Sequence, residues 1–428
     1  MIGFHTIVLL SCSCGLFMSA ATADVIELND KFLDIYKEGQ WLVMMYAPWC
    51  SHCQRLQPIW AHAAQNLAAT SIQVGKLDCT KYTNVAQQFE VRGFPTILFT
   101  KGGKTTIYTG DRSHKEIVKF AVRLNSPPVQ EITRTENFNK IQNFLDLYFL
   151  YVGERSGDLW DIYHRTAEVF QPFTFFYQVN ETLVDTHQQF TKVPSILVYK
   201  ENVNYKFTGD NEDDPDKLNS TFYNWVNRER FLMFPEVTRG TINQLFLTKK
   251  YLVLAVVDEN EFGDVDPDML ELRTAVESVI QKKREKYHDN FQFGWTVNSE
   301  LVNSIALMEI PRPSLIVINT NTSHYHIPDD NPSTLDSHAI EIILEQIRNG
   351  TAPKYGGNSI LVQVYRLWFD LKITLIGMFR ANAILTVVLL GLPTLFFSLI
   401  FYIICCPNVV SDEDVEEEEK SSVHPHSE

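Results

Sequence analysis

The residues WLVMMYAPWCSHCQRLQPIW, Trp41 to Trp60, read as strand, turn and helix in succession. Trp41 to Ala47 is a short apolar run, Pro48-Trp49 is a turn, and Cys50-Ser51-His52-Cys53 opens the helix. The helix is predicted from Leu56, Ile59, Trp60 and Ala63, which recur at a 3.6-residue period. The free N–H groups and dipole of a helix N-terminus favour negative charge. A thiol seated there ionises more readily than a free one, whose pKa is about 8.5. Cys50, on the outside of the turn, is the candidate for meeting a substrate; Cys53, one turn further in, can reach back to it. The rival reading of such a pair is half of a zinc site, but structural zinc takes four ligands. No second Cys pair is present, and His52 is not placed to complete a set. Strand, cysteine pair and helix together point to thiol–disulfide exchange, with no metal and no cofactor.

The 428 residues suit two to four domains. Of the seven cysteines, Cys12 and Cys14 lie near the start and Cys405 and Cys406 near the end, which leaves Cys50, Cys53 and Cys79 for the body. That is too few for a disulfide-stapled scaffold, so ordinary cores must hold the domains. Cys79, at a strand end, reads as a small buried hydrophobe, and Cys405-Cys406 as a candidate palmitoylation site. The net charge is −15, and eight acids against Lys420 between Ser411 and Glu428 supply −7 of it. No basic patch suggests nucleic acid as a partner.

Residues 1–23 read as a cleaved signal peptide, with an apolar core too short to span a bilayer and a small-x-small site at Ala21-Thr22-Ala23. Residues 383–406 are uncharged and mainly apolar. At ~1.5 Å per residue they are long enough to cross ~30 Å of hydrocarbon, with a mild kink expected at Pro393. A single-pass protein with a luminal body and an acidic cytosolic tail follows. Arg366, Lys372 and Arg380 lie on the luminal side, against the positive-inside trend; the leader decides, because it commits the first domain to translocation. The glycosylation sequons at Asn180, Asn219, Asn321 and Asn349 all fall on the luminal side.

The punctuation of the first unit recurs. FPTILFTKGG from Phe94 is echoed by VPSILVYKEN from Val193 and RPSLIVINTN from Arg312, with Pro95, Pro194 and Pro313 in register. Each echo follows an apolar strand: WLVMMYA from Trp41, LYFLYVG from Leu147 and YLVLAVVD from Tyr251. A repeat of about a hundred residues is too long for a solenoid of 20–50-residue units, so it implies three tandem α/β domains. The second and third have no cysteine pair. Pro95 is expected to be cis, since such a proline ahead of an apolar strand fills a tight-turn role. The expected domains are 24–128, 129–235 and 236–350, followed by a juxtamembrane linker over 351–382, the transmembrane helix 383–406 and the tail 407–428.

YAPWCSHC and VRGFPT, the tandem units and the leader resemble the protein disulfide isomerase family, and within it the thioredoxin-related transmembrane proteins of the endoplasmic reticulum. The resemblance implies three thioredoxin-like domains, the first redox-active. It implies Cys50 as nucleophile, Cys53 as resolving thiol, and His52 as the ring that stabilises the Cys50 thiolate, giving an oxidising or isomerising couple. Ser51 stands where relatives usually carry Gly. Arg92 resembles the arginine whose charge favours the Cys53 thiolate, and Pro95 the proline beside the pair. Relatives carry a buried acid where this chain has Met44; that acid pairs with a lysine, here Lys76, and helps move the Cys53 proton. Cysteine-containing luminal proteins are the implied clients, with glutathione or another redox donor. Two functions are expected to compete: a membrane-anchored thiol–disulfide oxidoreductase or isomerase of secretory proteins, and a tethered adaptor or redox sensor that traps a few membrane partners.

Overall fold

Apolar runs become the inner strands of three successive sheets. The computed structural model describes residues 24–183, 193–209, 214–260 and 264–405. The leader, the acidic tail, Cys12, Cys14 and Cys406 lie outside the described residues.

The first domain runs β1 (Ile26–Leu28), α1 (Phe32–Ile35), β2 (Gln40–Tyr46), α2 (Ser51–Leu67), β3 (Ile72–Asp78), α3 (Thr83–Gln88), β4 (Thr96–Lys101), β5 (Lys104–Ile107) and α4 (His114–Asn125). Its sheet has the order β1-β3-β2-β4-β5. β2 is central, parallel to β3 and antiparallel to β4. Being buried on both faces, it has no polar side chain between Trp41 and Met45; a strand covered on two sides reads as an apolar run rather than an alternation. Leu42 and Met44 face the α2 and α4 side, with Leu56, Trp60, Ala63, Phe120 and Ala121. Val43 and Met45 face the other side, with Phe32, Leu77, Val85 and Phe89.

The second domain repeats the plan: β6 (Gln130–Ile132), α5 (Thr135–Phe144), β7 (Leu147–Val152), α6 (Asp158–Phe170), β8 (Phe176–Val179), β9 (Ser195–Lys200), β10 (Val203–Lys206) and α7 (Pro215–Glu229). β7 is parallel to β8 and antiparallel to β9. The third continues with α8 (Ile242–Phe246), β11 (Tyr251–Val256), α9 (Pro267–Tyr287), β12 (Phe291–Thr296), α10 (Ser299–Ala306), β13 (Ser314–Asn319), β14 (His324–His326) and α11 (Ser337–Arg348). β11 is again parallel to β12 and antiparallel to β13. The strand after each repeated proline thus pairs antiparallel with an inner apolar strand in all three domains, and Phe94–Pro95, Val193–Pro194 and Arg312–Pro313 are cis.

A second unit comprises residues 300–310, 322–325 and 354–428, and its described part ends at Cys405. There β15 (Tyr355–Gly356) pairs antiparallel with β14 at Tyr325. The stretch expected as a linker holds a 22-residue helix, α12 (Ile360–Ala381), capped by Ser359. α13 (Ala383–Cys405) has 23 residues, contains Pro393, and is long and apolar enough to cross a membrane.

Candidate redox site

β2 ends on the buried Ala47, and the chain turns at Pro48-Trp49 with the Gln54 carboxamide donating to the Pro48 carbonyl at 2.9 Å. Cys50 then caps α2 in an extended conformation, its Sγ accepting the Cys53 N–H at 3.2 Å. The sulfur therefore occupies the place that a Ser or Asp oxygen takes in an ordinary N-cap. Cys50 is 7% exposed and Cys53 1%. Both are thiols, as is Cys79. They share a small apolar seat with Ala47, Tyr46 and Phe94. Trp49 stands out at 74% exposure, edge-on to Phe94 at 6.0 Å, which gives the pair a flat aromatic rim.

Burial, then the hydrogen bond with Cys50, pushes the Cys53 thiol up to about 11; a hydrogen bond with the Ala47 backbone and the charge of Arg112 pull weakly the other way. The proton thus stays on the inner sulfur, where it can be donated to the outer one. Cys79 is likewise pushed up to about 11, chiefly by burial. Its backbone N–H donates to the Tyr46 carbonyl, which fastens the end of β3 to β2.

The supporting residues divide. Pro95 lies on the loop against the pair, and its carbonyl accepts from Nη2 of Arg112 at 3.3 Å. His52 is exposed, with Nδ1 accepting from Nη2 of Arg55 at 2.8 Å. A guanidinium can only donate, so Nδ1 is the acceptor in this contact. Arg92 is exposed and within 3.8 Å of Glu90. Arg112, held on the Pro95 carbonyl, is a cation that pulls the Cys53 thiol down, and the sequence did not point to it; nothing in GDRSHK marks it, and the return of the β5–α4 loop brings it in. Lys76 lies opposite Met44 in register and binds Glu27 of β1 at 2.7 Å, with its ammonium 5.6 Å from the Tyr46 ring. The lysine that lacks an acid at position 44 has thus found one on the neighbouring strand. Asn180, Asn219, Asn321 and Asn349 are all exposed. Among the described residues no cluster of His, Cys, Asp or Glu could hold a metal ion.

A thioredoxin family model matches residues 25–123, and a thioredoxin-like domain model matches residues 153–340. Protein disulfide-isomerase TMX3 of Xenopus laevis is 31% identical over 94% of this chain and 87% of its own length. The Homo sapiens protein of that name is 30% identical over 88% of this chain and 81% of its own. A crystal structure of human ERp44 aligns with 79% of this chain and 96% of its own at 15% identity, with a TM-score of 0.33. Identity of this level over nearly the whole chain carries more than the fold: the chain belongs to the protein disulfide-isomerase family of thiol–disulfide oxidoreductases.

Proposed function

We propose that this chain is a membrane-anchored oxidoreductase of the endoplasmic reticulum that forms or rearranges disulfides in cysteine-containing secretory proteins. The observation that carries the reading is the cap: the Cys50 sulfur at a helix N-terminus, with a protonated Cys53 behind it. In the oxidising direction a client thiolate attacks the Cys50 sulfur of a Cys50–Cys53 disulfide, and Cys53 leaves and takes up a proton. A second client thiolate then attacks the client sulfur of the mixed disulfide. Cys50 is released, the client gains a disulfide, and the pair is left as a dithiol for glutathione disulfide or another donor to reoxidise. In the reducing or isomerising direction Cys50 attacks a client disulfide, and Cys53 resolves the product or the client rearranges. Trp49 and Phe94 give an unfolded client an apolar rim to lie on, and Pro95 offers backbone beside the pair.

The leader and α13 support a luminal body with the acidic tail in the cytosol, and the four exposed sequons support glycosylation on that side. The domains over 129–235 and 236–350 serve as platforms rather than catalysts, since neither contains a cysteine. The adaptor or sensor reading keeps two observations in its favour, the absence of an acid at Met44 and the single CxxC. Cys53→Ala separates the two. Under the first reading it accumulates mixed disulfides with many clients; capture of only one or two membrane partners would replace that reading with the second.

A further inference from the structure

The third domain rests on the loop that carries Arg112. Gln244, in α8, uses both ends of its carboxamide. Oε1 accepts from Nη1 of Arg230 in the second domain at 2.7 Å, and Nε2 donates to Oγ1 of Thr109 in the first at 3.0 Å. Because the guanidinium can only donate, the amide is fixed with its N–H toward Thr109. One side chain therefore joins three domains. Four residues earlier, Gly240 is seated on Gly110. A Cβ there would lie 2.6 Å from the Gly110 carbonyl carbon and 2.9 Å from the Asp111 nitrogen. Those are backbone atoms, so no rotamer relieves the overlap and the loop itself would have to shift. The Gly240 turn is pinned in its own domain: its N–H donates to Thr238 Oγ1 at 3.2 Å, and the Thr238 N–H to Thr241 Oγ1 at 3.0 Å. Two residues beyond Gly110 stands Arg112, tied to the Pro95 carbonyl.

We propose that the cysteine-free third domain positions Arg112 for the resolving step, with Gln244 and Gly240 holding the 109–113 loop so that the guanidinium stays on the Pro95 carbonyl, next to Phe94, which packs against Cys50 and Cys53. The inference rests on the exchange chemistry proposed above. In resolution Cys53 gives up its proton and attacks the Cys50 sulfur of the mixed disulfide, the Cys50–Cys53 bond forms, and the client leaves as a thiolate. The groups that face Cys53 are Cys50, Arg112, Tyr46 and Cys79. Arg112 is the cation among them, and a cation placed there favours the attacking thiolate. Gln244 is a positioning residue: it touches neither sulfur and acts through Thr109.

The test uses the full chain in detergent micelles, reduced, in a Cys50→Ser background. Alkylation of Cys53 by iodoacetamide is followed against pH by mass spectrometry of its peptide. Gln244→Leu should move the midpoint up by a few tenths of a unit, about a twofold drop in rate on the rising limb. Thr109→Val, which cuts the same bond from the other side, should do the same. Neither should add anything in an Arg112→Ala chain. Gly240→Ala should give a larger shift if near-UV dichroism shows it folded; if it unfolds, the two hydrogen-bond variants decide. Unchanged midpoints, or a full effect persisting without Arg112, overturn the inference. The readout needs no client, so a shifted midpoint in a chain that exchanges with no protein would leave this inference standing and remove the enzyme reading instead.

Discussion

The charge of Arg112 pulls the Cys53 thiol down, while Arg92 is exposed and within 3.8 Å of Glu90. Arg112→Ala should therefore slow release of a mixed disulfide about three- to tenfold, as expected when one nearby cation is lost. Arg92→Ala, which breaks only an exposed pair with Glu90, should leave the rate unchanged. Quenched single-turnover assays with a dithiol peptide compare them, and equal rates for the two variants would remove Arg112 from the account. Met44 is fully buried opposite Lys76, and Lys76 is held by Glu27. With no acid at position 44, resolution should be slower than in relatives that carry one there. Met44→Glu offers Lys76 a second partner and should raise the turnover rate at about 1–3 kcal/mol cost in stability, the ordinary penalty for a polar group placed in a core. An unchanged or lower rate means that Met44 only fills space. Cys50, Cys53 and the cap were legible in the sequence because they are contiguous and their chemistry depends on spacing along one turn. Arg112 and Glu27 were not, because their roles arise from chain returns that leave no local mark.

Among the elements, α2 carries the site, and its inner stripe of Leu56, Trp60, Ala63, Ala64 and Leu67 is buried against β2 and β3. Trp60 is 1% exposed, and its indole N–H donates to the Gly75 carbonyl at 3.2 Å, so it both fills the core and ties the helix to β3. Trp60→Ala should cost about 3–5 kcal/mol, the range for emptying a buried aromatic site. It should also loosen the Cys50 cap. Both effects are measurable, by thermal unfolding and by a faster reaction of Cys53 with an alkylating agent; a small loss of stability with Cys53 still shielded would show that the cap stands without its helix core. The element pattern of the three domains was legible from three apolar strands and three prolines, because a strand buried on both faces cannot hide its composition. α12 was not. Arg366, Asp370, Lys372 and Arg380 interrupt its apolar residues often enough to read as an approach to the membrane rather than as a helix. Yet no proline lies between Ser359 and Ala381, and Ser359 caps the start, accepting from the Val362 N–H at 3.4 Å.

Across the whole molecule, the second and third domains are joined by a buried charge cluster that no repeat or motif announced. Glu229, at the end of α7, meets Lys200 at 2.8 Å, Arg284 at 2.9 Å and His288 at 2.6 Å, while Lys250 donates to the His288 carbonyl at 2.6 Å. Burial alone would raise the Glu229 carboxyl; Lys200, His288 and Arg284 outweigh it and hold the group well below the usual carboxylate range. Glu229→Gln should therefore cost about 3–5 kcal/mol, since it leaves buried cations without their anion. His288 is pushed down to about 4, first by burial and then by Lys250 and Lys200 against the pull of Glu229, so it donates to the carboxylate as a neutral ring. The sign follows. Between pH 6.5 and about 4 the unfolded chain binds the His288 proton and the folded one does not, so stability falls as pH falls through that window. The loss reaches about 3 kcal/mol at its acid end. Glu229 contributes in the same direction only below its unfolded pKa of about 4.3. His288→Gln keeps a donor for Glu229 without a titrating proton and should flatten the window while changing stability little at pH 7. Urea unfolding of the full chain, followed by tryptophan fluorescence at intervals from pH 7 to 4.5, reads the two slopes; equal slopes would mean that His288 is charged in the folded protein and that the cluster is not the neutral-donor arrangement described.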